Sequence, residues 1–255
     1  MTRPVGDQPI VLTIAGSDSG GGAGIQADIK AIHANGGYAV TALTAITAQN
    51  TTGVAAVEVV SPRFLEAQLN AILSDFSVAA MKTGMLATAE HVETIASVFR
   101  RQQRVIPLVI DPVLVATSGD KLADPAVINA YRNRLFPHAM LITPNADEWH
   151  VFGGAAANWG APVLRKGGDE ATHRDYVEDR LYHPDADDAA TKAWRSARVE
   201  GGPFHGTGCT LSAAIATELG HGRGLESAIE RARAYVRTAL AGAWSPGHGA
   251  RVLDH

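Results

Sequence analysis

The chain of 255 residues contains a single cysteine, Cys209, and no apolar run long enough to cross a membrane. One cysteine excludes an internal disulfide and gives no reason to expect export. The first twenty residues hold too short an apolar run for a signal peptide and show no cleavage pattern. We therefore expect a cytoplasmic protein.

The sequence also lacks a strong excess of either charge, with a net charge of -4. That value predicts no binding to nucleic acid or to an anionic membrane surface. It contains no internal repeat and no linker rich in Pro, Gly or Ser, and 255 residues suffice to bury a large core. We expect one domain over residues 1–255.

Short apolar segments alternate with amphipathic ones along most of the chain, which indicates an α/β fold with a mostly parallel central sheet and helices on both faces. The apolar segments resemble strands buried on both faces. These predicted strands are 9–16, 40–47, 78–85, 107–113 and 139–145. The predicted helices are 61–76, 88–101, 211–219 and 225–244. Two further strands, 175–183 and 192–200, are compatible with a hairpin around an acidic loop.

A glycine-rich segment, GSDSGGGAGIQAD at residues 16–28, follows the first predicted strand. A strand, a glycine loop and a helix start are the usual layout for binding an anion or a polar ligand. Residues 22–27 match the dinucleotide fingerprint, but the second strand ends in Gln49 and Asn50 where a ribose-binding acid would be needed. A dinucleotide-dependent oxidoreductase is thus a weak alternative, and the absence of a Walker loop gives no support to a P-loop kinase.

A second glycine cluster, Gly206 to Cys209, directly precedes the predicted helix 211–219. Backbone N–H groups at a helix start, together with the helix dipole, can form an anion hole, although a tight packing loop would have the same composition. Three more polar clusters fall where strand ends are expected, at 111–122, 143–148 and 164–170. Ligands of open α/β sheets bind at the carboxyl ends of strands, so the clusters predict a site there.

These segments, in order, resemble hydroxymethylpyrimidine/phosphomethylpyrimidine kinases of the ribokinase-like superfamily. The matching motifs are AGSDSGGGAGIQAD, TAQNTTG, KTGML, DPVLVATSGD, TPNADE, RKGGD and HGTGCTLSAA. The resemblance implies ATP, Mg²⁺ and phosphorylation of 4-amino-5-hydroxymethyl-2-methylpyrimidine and of its monophosphate, in a protein that we expect to be a homodimer. Pyridoxal and pyridoxine kinases share most of the motifs and are the alternative substrate class. A binding protein without activity is a third possibility, because the stretch from Trp149 to Val163 is about one helix shorter than the resemblance implies.

By the same resemblance, one group of residues would form the pyrimidine site. An amide and a carboxylate can pair with the ring nitrogens and exocyclic amine of an aminopyrimidine. A methionine offers a soft apolar surface to the flat ring. The residues concerned are Gly16, Ala23, Asp28, Gln49, Met85 and Val113.

A second group would carry the phosphoryl transfer. The resemblance places the backbone of Gly206, Thr207, Gly208 and Cys209 around the transferring group. Cys209 would act as a moderate base, with a thiol pKa lowered by the helix start. The nucleotide would be bound by Asn145, Lys166, Thr207 and Gly208, with Lys166 near the phosphates, and Mg²⁺ would be held through waters by Asp111 and Glu148.

Overall fold

The computed structural model describes residues 8–102, 104–114, 124–168, 175–185 and 190–255. Its strands are β1 Ile10–Asp18, β2 Tyr38–Asn50, β3 Gly53–Val59, β4 Val78–Thr83, β5 Leu108–Ile110, β6 Leu141–Ile142, β7 Val163–Arg165, β8 Tyr176–Tyr182, β9 Ala190–Ala197, β10 Phe204–His205 and β11 Arg251–Val252. Its α-helices are α1 Gly24–Ala34, α2 Pro62–Asp75, α3 Ala89–Arg100, α4 Pro125–Ala130, α5 Ala146–Val151, α6 Thr207–Gly220 and α7 Leu225–Ala241. Each predicted strand and helix has its counterpart among these elements.

Nine strands form one sheet in the order β3-β2-β1-β4-β5-β6-β7-β8-β9. Every pair from β2 to β7 is parallel, while β3 at one edge and the hairpin β8–β9 at the other pair antiparallel. The predicted mostly parallel sheet and the predicted hairpin are therefore confirmed. The carboxyl ends of the parallel strands meet at one edge, the place where ligands of such sheets bind.

The sheet separates two apolar cores, and residues of β1 pack into both of them. Leu12 and Ile14 pack into the core under α2 and α3, while Val11 packs into the core under α1, α6 and α7. All three side chains are at most 1% exposed. Burial on both faces is why this strand is apolar at successive positions instead of alternating with polar residues.

An aromatic cluster fills the face where the sequence is about one helix short. The ring of Trp159 stacks on Phe136 at 5.1 Å between centroids, and Phe152 lies 4.9 Å from Phe136. The ring of Trp149 also packs on Trp159, at 5.3 Å between centroids. Large rings bury much area per residue and each pair adds about 0.5–1.5 kcal/mol beyond that area. The face is thus closed by side chains, with only a short turn at Ala156–Asn158 between α5 and β7.

A small second sheet joins the end of the chain to the entrance of α6. β10 pairs in parallel with β11, which places Val252 opposite His205. The segment before β11 also donates two backbone hydrogen bonds to Thr51 in the turn between β2 and β3. The C-terminal residues therefore hold the β2 end and the α6 start together. Within the described residues, no helix has the length and apolar character needed to cross a bilayer.

Candidate active site

The two glycine clusters of the sequence meet at the carboxyl edge of the sheet. Gly206, immediately before α6, has a positive φ of 86°. A Cβ on Gly206 would lie 1.8 Å from the carbonyl oxygen of Gly22, which precedes α1. Only a residue without a side chain permits this contact. The start of α6 is thereby held against the loop that leads into α1.

Asp18, at the end of β1, organises the first glycine loop. Its Oδ1 accepts from Gly20 N at 2.8 Å, and its Oδ2 accepts from Gly22 N at 3.1 Å and Ala23 N at 2.8 Å. His205 Nε2 lies 2.9 Å from the same Oδ2. Burial raises the pKa of Asp18, but the hydrogen bonds from His205 and the loop outweigh it and the pKa is lowered.

Part of the first glycine loop is therefore not available to an anion or another ligand. Three of its N–H groups point at the carboxylate of Asp18 and are occupied there. Our prediction from the sequence assigned no role to Asp18 or His205. An aspartate just before a glycine run is typical of a side chain that bonds the backbone two residues on, and that signal could have found Asp18.

Four of the six residues predicted for the pyrimidine lie at the ends of neighbouring strands, and a fifth lies at the start of α1. Gly16 is in β1 and Gln49 in β2, while Met85 follows β4 and Val113 follows β5; Ala23 is the residue before α1. A Cβ on Gly16 would come within 2.6 Å of Met85 Cε, so glycine there makes room for the thioether. The strand order β2-β1-β4-β5 brings these residues to one edge.

The sixth residue, Asp28, is wholly buried in α1, and its contact with a ligand stays a prediction. Asp28 is 0% exposed, on the face of α1 that packs against the sheet. Lys82 Nζ, itself 0% exposed, lies 2.9 Å from both carboxylate oxygens, and Thr13 Oγ1 donates to Oδ2 at 2.5 Å. Burial would lower the pKa of Lys82, but the facing carboxylate outweighs it and the pKa is raised. Asp28 and Lys82 form a buried ion pair.

Cys209 lies half-buried in the first turn of α6, and the predicted lowering of its pKa is wrong. Burial raises the pKa of the thiol to about 11, although the ammonium of Lys82 and a hydrogen bond from the Gly24 backbone act to lower it. Loss of water around the sulfur therefore exceeds the effect of the helix start. The thiol is neutral near pH 7.

Lys166 and Asp111 form a second ion pair beside the α6 start. Lys166 Nζ lies 2.7 Å from Asp111 Oδ1, which also accepts from Thr143 Oγ1 at 3.2 Å. Ser212 Oγ donates to Asp111 Oδ2 at 3.3 Å. A Cβ on Gly208 would lie 3.0 Å from Lys166 Nζ, so glycine at that position lets the ammonium reach the helix start. The structure thus brings together predicted residues from three separate clusters.

Asn145 and Glu148 cap α5 reciprocally at the same edge. Asn145 N donates to Glu148 Oε2 and Glu148 N donates to Asn145 Oδ1, both at 2.8 Å. Burial raises the pKa of Glu148 to about 7, with Lys166 acting to lower it and Asp111 to raise it. Two buried carboxylates near one ammonium suit a divalent cation, and Mg²⁺ binds through one or two carboxylates plus substrate phosphates. No group of three His, Cys, Asp or Glu residues suited to a metal occurs in the part of the chain that the structure describes.

Parts of two predicted clusters, residues 115–122 and 169–170, lie outside the described residues.

Comparison with known proteins decides among the possible families. The family model for phosphomethylpyrimidine kinase matches residues 18–254. The chain belongs to the phosphomethylpyrimidine kinase family. A hydroxymethylpyrimidine/phosphomethylpyrimidine kinase of Rhizobium meliloti is 42% identical over 92% of this chain and 91% of its own length. The thiamine biosynthesis bifunctional protein ThiED of Geobacter sulfurreducens is also 42% identical, over 96% of this chain, which spans 52% of that relative.

Solved structures show the fold of the family. A pyridoxal kinase of Bacillus subtilis in an ADP complex has a TM-score of 0.87 at 32% identity and covers 97% of both chains. A phosphomethylpyrimidine kinase of Clostridium difficile has a TM-score of 0.75 at 32% identity and covers 91% of this chain and all of its own. The resemblance found in the sequence and the ribokinase-like fold are confirmed.

The buried ion pair leads to a test of stability. Replacing Lys82 by Met leaves the carboxylate of Asp28 buried without its partner, so we expect the free energy of unfolding to fall by about 3–5 kcal/mol. Urea denaturation followed by circular dichroism measures it. The double variant Asp28→Asn/Lys82→Met removes both charges and should recover most of the loss. A loss below about 1 kcal/mol for Lys82→Met would show that the pair is not ionised in the folded protein.

The raised thiol pKa leads to a test of reactivity. Because Cys209 is the chain's one cysteine, its alkylation by iodoacetamide can be followed by intact mass. With a pKa of about 11, the thiolate appears only at high pH, so the rate should still rise above pH 10. A free cysteine peptide, measured in parallel, should level off above its pKa of about 8.5. A plateau near pH 9 in the folded protein would contradict the assignment.

Proposed function

We propose that this protein uses ATP to phosphorylate the hydroxymethyl group of 4-amino-5-hydroxymethyl-2-methylpyrimidine, and then its monophosphate, in thiamine synthesis. One observation carries the proposal beyond family membership: the start of α6 lies beside Lys166, and His205, two residues before α6, contacts Gln49 at the end of β2. A phosphoryl site and a site for a flat polar ring would thus be adjacent. The single cysteine keeps the cytoplasm as our predicted compartment.

The α6 start would stabilise the transferring phosphoryl group. The N–H groups of Thr207, Gly208 and Cys209 precede the first hydrogen bond of the helix, which Thr210 N donates to Gly206 O at 2.9 Å. The helix dipole adds positive potential at the same point. Preorganised donors at the position of developing negative charge lower the barrier of phosphoryl transfer.

Lys166 and the acidic residues would bind the nucleotide end. Asp111 holds the ammonium of Lys166 in place, next to Gly208, where it would contact phosphate oxygens. Asn145 and Thr207 would complete the nucleotide contacts, and the ADP and AMP-PCP complexes of a similar pyridoxal kinase from Staphylococcus aureus support a nucleotide site. Asp111 and Glu148 would hold Mg²⁺ through waters, and Mg²⁺ would neutralise charge on the phosphates.

Cys209 would contribute through its backbone more than through its sulfur. A thiol with a pKa of about 11 is a poor proton acceptor near neutral pH. Phosphoryl transfer passes through a loose transition state in which the attacking hydroxyl needs little deprotonation. The N–H of Cys209 at the helix start therefore carries its part of the chemistry.

A pyridoxal kinase is the second candidate, favoured by the structural match at a TM-score of 0.87. The family model and the 42% identical relatives favour the pyrimidine. A coupled assay for ADP release, with the pyrimidine alcohol, its monophosphate and pyridoxal as substrates, separates the two. We expect turnover of both pyrimidines with ATP and loss of turnover in excess chelator, restored by added Mg²⁺. Faster turnover of pyridoxal than of the pyrimidines would overturn the assignment, and full activity in chelator would exclude the metal.

We also propose that two copies associate through the hairpin β2–β3. The strand β3 is an edge of the sheet, and the side chains of Ile46, Val57 and Val59 are 51%, 40% and 43% exposed. An uncovered apolar edge strand is prone to pair with another chain. A second copy would cover it and remove these side chains from water.

A charged substitution in the edge strand β3 tests the proposed dimer. We expect sedimentation velocity to show a dimer for the natural chain and a monomer for Val57→Lys, because a buried lysine would lack a partner. Val105→Lys is the matched control, since Val105 is 92% exposed and lies outside the hairpin. A monomeric natural chain, or a Val57→Lys variant that remains dimeric, would contradict the proposal.

A further inference from the structure

The side-chain amide of Gln49 lies between two polar groups that determine how it must be oriented. As placed, the amide Nε2 is 3.0 Å from His205 Nε2 and the amide Oε1 is 3.3 Å from Thr47 Oγ1. The oxygen and nitrogen of an amide are nearly equal in size, so their placement is decided by the partners at each end. Both partners here have restricted hydrogen-bonding roles.

His205 can only donate toward Gln49. Its Nε2 lies 2.9 Å from Asp18 Oδ2, and an ionised carboxylate accepts hydrogen bonds but donates none. Asp18 accepts three backbone N–H groups as well, which favours its ionised form. Nε2 therefore carries a hydrogen whether the ring is neutral or charged. That single hydrogen faces both Asp18 Oδ2 and the amide, so the end of the amide toward His205 must be the acceptor, Oε1, which shares it with the carboxylate.

Thr47 can only accept from Gln49. Its hydroxyl has one hydrogen, and that hydrogen is donated to the carbonyl oxygen of Ser17 at 2.9 Å. The end of the amide that faces Thr47 must then be the donor, Nε2. The placement given above, with Nε2 toward His205 and Oε1 toward Thr47, would join two donors in one contact and two acceptors in the other, so the two amide atoms must be exchanged. Two independent partners thus select the same orientation.

We propose that His205 and Thr47 lock the Gln49 amide with Oε1 toward His205 and Nε2 toward Thr47, and that this lock determines which ring edges the site accepts. The inference rests on the proposed function, in which Gln49 faces the pyrimidine. His205 is a positioning residue: it acts on the ligand through Gln49, and Asp18 holds it in place. The same Asp18 carboxylate holds the loop before α1.

An amide held in one orientation can pair with only one arrangement of a donor and an acceptor on the ring edge of the substrate. Its remaining lone pair and its remaining N–H lie side by side, and an aminopyrimidine edge presents an amine donor beside a ring-nitrogen acceptor. The 4-oxo analogue of the same pyrimidine alcohol presents an acceptor beside an N–H donor, which is the reverse order. A locked amide rejects the analogue because two buried groups would stay unpaired, whereas an amide free to rotate can accept either edge.

The test compares kcat/KM for the 4-amino and 4-oxo alcohols. We expect the natural chain to prefer the amino compound by about 10–100-fold, the cost of an unpaired buried group or two. In the double variant His205→Phe/Thr47→Val, which keeps side-chain shape but removes both partners, the preference should fall to within about threefold. His205→Gln and Thr47→Ser keep a donor and a hydroxyl and should retain most of the preference. KM for ATP should stay within about twofold in all four proteins, since the lock faces the ring.

Several outcomes would overturn the lock. If the ratio of the two kcat/KM values is unchanged in the double variant, the amide is held by other groups. If both kcat/KM values fall by the same factor, His205 and Thr47 have only a structural role. If the natural chain phosphorylates neither pyrimidine, the proposed function fails, and the lock is still tested by NMR. The Gln49 amide protons should then show cross-relaxation to the Thr47 methyl group in the natural chain, and cross-relaxation to the His205 ring alone would contradict the orientation.

Discussion

The carboxylate of Asp18 is the interaction on which the site depends. It accepts from the loop before α1 and lies against His205, the residue before the turn into α6. One side chain therefore fixes the starts of two helices that are far apart in the sequence. The close contact between Gly206 and Gly22 follows, and that contact leaves no room for a side chain at Gly206. Without the carboxylate, three loop N–H groups would need other partners.

Three acidic side chains near the site each contact a basic one, and the pairs differ in exposure. Asp28 and Lys82 are wholly buried, Asp18 and His205 are nearly so, and Lys166 is the most open of the three basic groups at 13% exposure. A wholly buried pair is costly to separate, so it serves to hold the elements around it. A partly open cation can exchange solvent for ligand at lower cost. Lys166 is therefore the cation suited to meet phosphate, and Lys82 is not.

The fold could be predicted from the sequence because each element carries its own local signal. The strands buried on both faces are uniformly apolar, and α2 begins at a Ser-Pro pair whose serine side chain accepts from Phe64 N. The motifs likewise indicated the family and the edge at which the site lies. What the sequence did not reveal was the environment of single groups, because burial depends on contacts between distant segments. Asp28 is wholly buried against Lys82, and the pKa of the Cys209 thiol is raised where the sequence predicted a lowered one.

Because the thiol of Cys209 is neutral and Asp18 occupies N–H groups of the first glycine loop, other groups would have to stabilise charge in the site. In the proposed reaction, neither the first loop nor the sulfur of Cys209 would supply a charge. The positive potential would come from the α6 start and from Lys166, which Asp111 holds in place. Ring recognition and charge stabilisation would thus rest on separate groups, joined through His205, which contacts Gln49 and directly precedes Gly206. Such a division permits the ring edge to be selected by the orientation of one amide without any change to the groups that meet the phosphate.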